Sequence, residues 1–190
     1  VSEPQLVLVR HGDTEWSRNG RHTSTTDLPL LPSGVERARR LRPALSEFSF
    51  ARVLCSPLQR ARSTAEAAGY GDRIEITPDL TEWNYGDYEG LTSPEIRERD
   101  PNWLLWTDGC PDGESPADVS ARVDRLIAEA VGSDGDVLLF AHGHILRSVG
   151  ARWSAFAVSA GERFALSPAT ISVLGHEHET RVIDTWNARA

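Results

Sequence analysis

The sequence predicts an α/β fold, a three-layer sandwich with a mostly parallel central sheet flanked by helices. Two observations predict it. Short apolar runs of strand length alternate with longer stretches of helical periodicity, the pattern of βαβ units. Residues 5–10 (QLVLVR) and 136–141 (DVLLFA) are apolar almost throughout, as strands covered on both faces must be. Ligands of such sheets bind beyond the carboxyl ends of the strands, so the residues that follow each strand matter most.

In chain order, residues 5–10 form the first strand and the polar, Gly-, Ser- and Thr-rich residues 11–32 a loop. Ser33 opens a helical run with Val35, Ala38, Leu41, Leu45 and Phe48 on its apolar face. Pro43 falls inside that run and predicts a kink or break, because it lacks an N–H and crowds the preceding turn. Residues 51–55 form a second strand, 57–68 a helix with Pro57 near its first turn, and 73–76 a third strand. Residues 81–113 are a mixed, aromatic-rich region. Residues 115–131 are the clearest amphipathic helix, with Val119, Val123, Leu126, Ile127 and Ala130 on one face. A strand over 136–141, a helix over 144–153 and closing strands over 170–174 and 181–185 complete the pattern. With no internal repeat or long linker, residues 1–190 are expected to form one domain.

Composition narrows the function classes. Hydrophobic residues make up 39% and charged residues 25% of the chain, as in ordinary globular proteins. A net charge of −8 argues against general binding to nucleic acid or membrane surfaces. No apolar stretch nears the roughly 18 residues of a membrane span, and no secretory signal is visible. Cys55 and Cys110 are expected to be free thiols in a reducing cytoplasm, with one disulfide left open. An acidic protein that binds an anion must gather positive charge locally, so its arginines deserve tracing.

Four motifs carry chemistry. In LVRHGDTEW, Arg10 and His11 leave a strand side by side and Gly12 lets the backbone approach closely. A neutral imidazole is a competent nucleophile toward phosphorus once its other nitrogen is held by an acceptor. In CSPLQRARSTAE, Arg60 lies one turn into a helix and suits phosphate oxygens. In TEWNYGDYEG, Glu82 lies among Trp83, Tyr85 and Tyr88. Burial there favours its protonated form, suited to donating to a leaving alkoxide. In FAHGHILR, a protonated His142 and the freed N–H at Gly143 serve a phosphoryl oxygen. The pairs His142/His144 and His176/His178 leave a metal-binding reading open, although no nearby Cys or carboxylate completes a ligand set.

Taken in this order, the motifs resemble the histidine phosphatase superfamily over about residues 6–149. The resemblance implies a phosphoric monoester hydrolase in which His11 is the phosphorylated residue. It implies that Arg10, Arg60 and His142 complete the phosphate pocket, that Glu82 is the acid, and that no metal or other cofactor is needed. Ser17 and Thr23 match pocket-lining positions. Mutases of the family carry Asn where this chain has Ser17 and Gly where it has Ser24, which bears on the substrate. Arg21, His22, Tyr85, Gly143, His144 and Arg147 are further candidates for holding it.

Residues 90–113 are short compared with the pocket cover of the mutases, and their only basic residues are Arg97 and Arg99. Hydrolysis is therefore expected over phosphoglycerate mutase activity, with a non-catalytic phospho-ligand module as the third reading. The segments EWNYGDYEGLTSPEI and WTDGCPDGES resemble a branch of small acid phosphatases and sugar bisphosphatases. The expected partner is thus a small phosphorylated metabolite, a sugar phosphate or bisphosphate, with a homodimer left open.

Overall fold

A computed structural model describes residues 3–190. Its elements are β1 (Leu6–Arg10), α1 (Glu15–Asn19), α2 (Pro32–Arg40), α3 (Arg42–Leu45), β2 (Phe50–Cys55), α4 (Gln59–Ala67) and β3 (Ile74–Ile76). They continue with α5 (Ser93–Arg97), α6 (Leu105–Asp108), α7 (Pro116–Val131), β4 (Asp136–Ala141), α8 (Gly143–Trp153), β5 (Ile171–Glu177) and β6 (Thr180–Ala188). The six strands form one sheet in the order β3-β2-β4-β1-β5-β6. β3, β2, β4 and β1 run parallel, while β5 is antiparallel to β1 and β6 to β5.

The alternation of side chains in each strand makes the three layers. Leu6 and Leu8 of β1, Leu54 of β2 and Val137 and Leu139 of β4 face one core, packed under α7 and α8. Val7 and Val9, Val53 and Cys55, and Leu138 and Phe140 face the other, under α2, α3 and α4. The predicted break near Pro43 is present: α2 ends at Arg40 and α3 starts at Arg42. α7 buries all five residues assigned to its apolar face. It starts in a capping box, with the Ser115 hydroxyl accepting from the Asp118 N–H while the Asp118 carboxylate accepts from the Ser115 N–H.

Three differences from the sequence reading stand out. The loop over 11–32 contains α1, capped by Thr14 with Ser17 closing the box. The mixed region contains α5 and α6, of which α5 is capped by Thr92 and Glu95. The closing strands are longer than predicted, because β5 and β6 pair as a hairpin from Glu177↔Thr180 back to Ile171↔Ala188.

Register brings the strand exits together. Arg10 lies beside Ala141, and Cys55 beside Phe140. The ladder continues one residue further, with the His11 N–H donating to Ala141 O at 2.9 Å and the Ser56 N–H to Phe140 O at 3.0 Å. His11, Ser56 and His142 thus leave three neighbouring strands at one level.

The chain after β1 is pressed against the start of α2. A Cβ on Gly12 would lie 2.5 Å from Gly34 O, and one on Gly34 2.5 Å from Asp13 O. Both contacts are backbone, which cannot swing aside. Gly34→Ala should therefore lower stability by about 1–3 kcal/mol, the usual range for overpacking, measured as a lower urea midpoint. An unchanged midpoint would show that the two segments are free to separate.

Candidate active site

A cavity of about 220 Å³ opens at these strand exits, walled by Arg10, His11, Glu82, Tyr85, Gly143 and His144. Ser17, Arg21, His22, Thr23 and Arg147 also line it. Arg60, His142 and Ser24 do not. Arg60 and His142 lie buried beneath it, and the Ser24 hydroxyl donates to Glu89 Oε2 at 2.5 Å.

The His11 ring is held by its own neighbour. Nδ1 lies 2.7 Å from the Gly12 carbonyl, which can only accept, so Nδ1 carries the proton and Nε2 a lone pair. Burial, followed by the charges of Arg10 and Arg60, holds its pKa well below the ordinary value. Arg10 gives one N–H to the Leu166 carbonyl. Its Nε is buried with no hydrogen-bond partner among the described residues, an unspent donor on a residue that lines the cavity. Gly143 makes room for this guanidinium: a Cβ there would lie 3.2 Å from Arg10 Cζ.

Beneath the cavity Arg60 donates to His142 Nδ1 at 3.0 Å, and to the carbonyls of Thr23, Ser24 and Thr26 at 3.0–3.2 Å. A guanidinium has no acceptor atom. His142 Nδ1 therefore accepts, and Nε2–H donates to Ser56 Oγ at 2.7 Å. This corrects the expectation of a protonated His142: burial and then the charge of Arg60 hold its pKa well below 6.5, and the ring is neutral.

Glu82 is buried, but not bare among aromatic rings as the sequence suggested. Its Oε1 accepts from the N–H groups of Trp83 at 2.9 Å and Ile145 at 2.8 Å, and its Oε2 from that of His144 at 3.0 Å. Two of these donors are first-turn N–H groups of α8, whose N-cap His142 makes no side-chain cap. Glu82 caps that helix from a distant segment.

The match to known proteins agrees with this geometry. Residues 6–189 match the model of the histidine phosphatase superfamily, branch 1. The chain belongs to that superfamily. It is 44% identical over 185 residues to an acid phosphatase of Mycobacterium tuberculosis, covering 95% of this chain and 91% of that one. It is 35% identical over 182 residues to sedoheptulose 1,7-bisphosphatase of Saccharomyces cerevisiae, covering 79% and 67%. A solved structure of an open reading frame from M. tuberculosis superposes with a TM-score of 0.92 at 41% identity over 98% of both chains. Mycobacterial glucosyl-3-phosphoglycerate phosphatase, solved with VO3, superposes with a TM-score of 0.86 at 29% identity, over 97% of this chain and 99% of that one. Like these relatives, this histidine phosphatase is a phosphoric monoester hydrolase.

The far wall of the phosphatase cavity is neutral and aromatic next to Arg147. His22 and His144 stack with ring centroids 6.0 Å apart. His22 Nδ1 donates to the Leu91 carbonyl at 2.8 Å. The Tyr85 hydroxyl, its pKa pushed well above 10 by burial and then by Glu82, lies 2.6 Å from His144 Nδ1. Arg21 is paired with Glu95 at 3.2 Å. Arg147 lies over the Trp106 ring at 4.8 Å and donates to the carbonyls of Gly161 and Glu162, with no carboxylate in ion-pair reach among the described residues. The two HxH pairs do not converge: His142 and His144 turn to Arg60 and Tyr85. Among the described residues no group of three or more His, Cys, Asp or Glu is arranged around a metal position.

Sequence reasoning missed the supports. The Thr64 hydroxyl accepts from the Gly12 N–H at 3.0 Å and donates to Arg60 O at 2.7 Å, joining the first two motifs. It stands one turn after Arg60, the only hint in the sequence. Glu89 accepts from the N–H groups of Ser24 and Thr26, tying down the loop whose carbonyls hold Arg60. Nothing in the sequence marks Glu89 as different from Glu82.

The buried imidazoles set a pH dependence. His11, His142 and His144 have pKa values held well below 6.5, each chiefly by burial. The unfolded chain binds protons at these positions near pH 6.5 and the folded chain does not, so stability falls as pH drops through that value. The urea midpoint should decline between about pH 7.5 and pH 5.5. A flat or rising midpoint would mean that these rings protonate in the fold.

Proposed function

We propose that the protein hydrolyses a small phosphate monoester through a phosphohistidine on His11, with Glu82 moving the proton and no metal taking part. One observation carries the reading. His11, with its lone pair on Nε2, lines a cavity that is also lined by Arg10 and by the carboxyl group of Glu82.

In the first step Nε2 attacks phosphorus in line, the P–O ester bond breaks, and the leaving oxygen takes a proton from Glu82. In the second step Glu82 takes a proton from water, the water oxygen attacks phosphorus, and the P–N bond breaks. Oε2 accepts a single N–H, so it is the carboxylate oxygen with room for the transferring proton. Arg10 and the Gly143 N–H at the start of α8 serve the transferring phosphoryl group, and Arg60 adds charge from below. Such preorganised donors stabilise the charge that develops on the equatorial oxygens.

Hydrolysis rather than transfer to a second hydroxyl fits the cover of the cavity. From residues 90–113 only Ser93 reaches its wall, and Arg97 is turned to the Trp103 carbonyl. The substrate we favour is a sugar phosphate or bisphosphate, the class named for the yeast relative. Arg147 with His144 would take a second anionic group or hydroxyls. The two cysteines are buried thiols on opposite faces of the sheet.

His11→Ala should abolish both turnover and acid-labile labelling by substrate in a folded protein. Substantial activity in that variant would overturn the assignment, while EDTA is expected to leave wild-type activity unchanged. Glu82→Gln tests the proton transfer. General acid catalysis is worth roughly 10²–10⁴ in rate, and an alkoxide needs it far more than a nitrophenolate. Single-turnover phosphorylation of His11 should fall by that range with an alkyl phosphate and far less with nitrophenyl phosphate. Equal losses would remove Glu82 as the acid.

A further inference from the structure

Glu82 lies between two cavities on a segment whose Leu80, Trp83 and Tyr85 are buried in the core. The catalytic cavity is in front, and behind it a second cavity of about 510 Å³ is lined by Pro78, Asp79, Thr81, Asn84, Glu114 and Arg122, and again by Glu82. Packing of Leu80 and Trp83 anchors the segment, but its backbone carbonyls and N–H groups need polar partners as well.

Arg122 and Glu114 meet that need. Arg122 projects from α7 and donates Nε and Nη2 to the two oxygens of Glu114 at 2.8 and 2.7 Å. Its Nη1 donates to the carbonyls of Asp79 at 2.8 Å and Thr81 at 2.7 Å. Glu114 completes the ring: Oε2 accepts from the Asn84 N–H at 2.8 Å, and the backbone carbonyl from Trp83 Nε1 at 2.9 Å. The residues on either side of Glu82 are thus tied to one ion pair. Its side chains are 10% and 21% exposed, whereas every other ion pair among the described residues has one partner at least 37% exposed.

We propose that the Arg122–Glu114 pair is the positioning device for proton transfer, a buried clamp that holds residues 79–84 and through them the Glu82 carboxylate. The proposal rests on the reading of Glu82 as the proton donor. The chemistry explains why the cation is arginine. One planar fork serves a carboxylate and two carbonyls at once, and a lysine ammonium cannot reproduce that geometry. The clamp touches no reacting atom, so it acts on the step that needs Glu82 and not on the attack by His11.

The test is a leaving-group comparison on Arg122→Lys and Glu114→Gln, read as single-turnover formation of phosphohistidine, with thermal melts of each variant alongside. Glycerol 2-phosphate serves as the alkyl ester and nitrophenyl phosphate as the activated one. Misplacement of a catalytic group by about 1 Å costs on the order of 10²-fold. Arg122→Lys should slow the alkyl ester roughly 10- to 100-fold and leave the nitrophenyl ester nearly unchanged. Glu114→Gln, which keeps shape and bonding capacity, should show the same selectivity with a smaller loss, and it carries the test if Arg122→Lys does not fold. In a Glu82→Gln background neither change should slow the alkyl ester further, because the two act through one group. Equal losses with both esters, or full additivity with Glu82→Gln, would overturn the clamp while leaving the acid assignment standing. If Glu82→Gln alone fails to discriminate the esters, the acid assignment falls and this proposal with it.

Discussion

The site depends on one buried cation. Arg60 is 0% exposed, and its hydrogen bonds go to three loop carbonyls and an imidazole, not to a carboxylate. Burying a charge without a direct partner costs several kcal/mol in rough terms. Carbonyl dipoles and the nearby charges of Glu82 and Glu89 offset part of that cost. What remains is a positive field at the strand exits of a protein whose net charge is −8. Field focused in a cleft matters more to an anion than the charge of the whole surface. Burial first, and then this field with that of Arg10, makes protonation of His11 and His142 unfavourable, and so keeps a lone pair on the imidazole that lines the cavity.

The rest of the architecture serves to hold that cation in place. Its loop is fixed from two sides, with Arg60 on the carbonyls of residues 23–26 and Glu89 on the N–H groups of Ser24 and Thr26. Its helix is joined to the nucleophile's strand through Thr64 and the Gly12 N–H. The parallel register of β2, β4 and β1 then sets Ser56, His142 and His11 at one level. Donors arranged this way need little reorganisation when charge develops, the condition under which electrostatic stabilisation acts most strongly.

The fold and the core of the site were legible in the sequence where local chemistry dictates the outcome. Apolar strand runs, the Pro43 break and the buried face of α7 follow from periodicity and from the missing N–H of proline. The exits of two strands marked His11 and His142. What was not legible depends on partners distant in the chain. The charge of His142 was misread because the donor that neutralises it, Arg60, lies 82 residues away. Glu82 was read as a desolvated carboxyl because two of its three N–H partners come from α8, more than 60 residues on. α1 escaped notice because Ser17, where a capping box usually has Glu or Gln, closes the box on Thr14. Strand ends such as Ala188 are set by hairpin pairing and not by local apolar pattern.

The central claim is that two guanidiniums and one carbonyl prepare His11 as a neutral imidazole with its lone pair on Nε2. Nitrogen-15 NMR of the histidine rings in the resting protein reads that state directly. The account predicts that His11 carries its proton on Nδ1 and does not titrate between about pH 8 and pH 5.5, well across the ordinary histidine value. Titration of His11 near pH 6.5, or a proton found on Nε2, would contradict it.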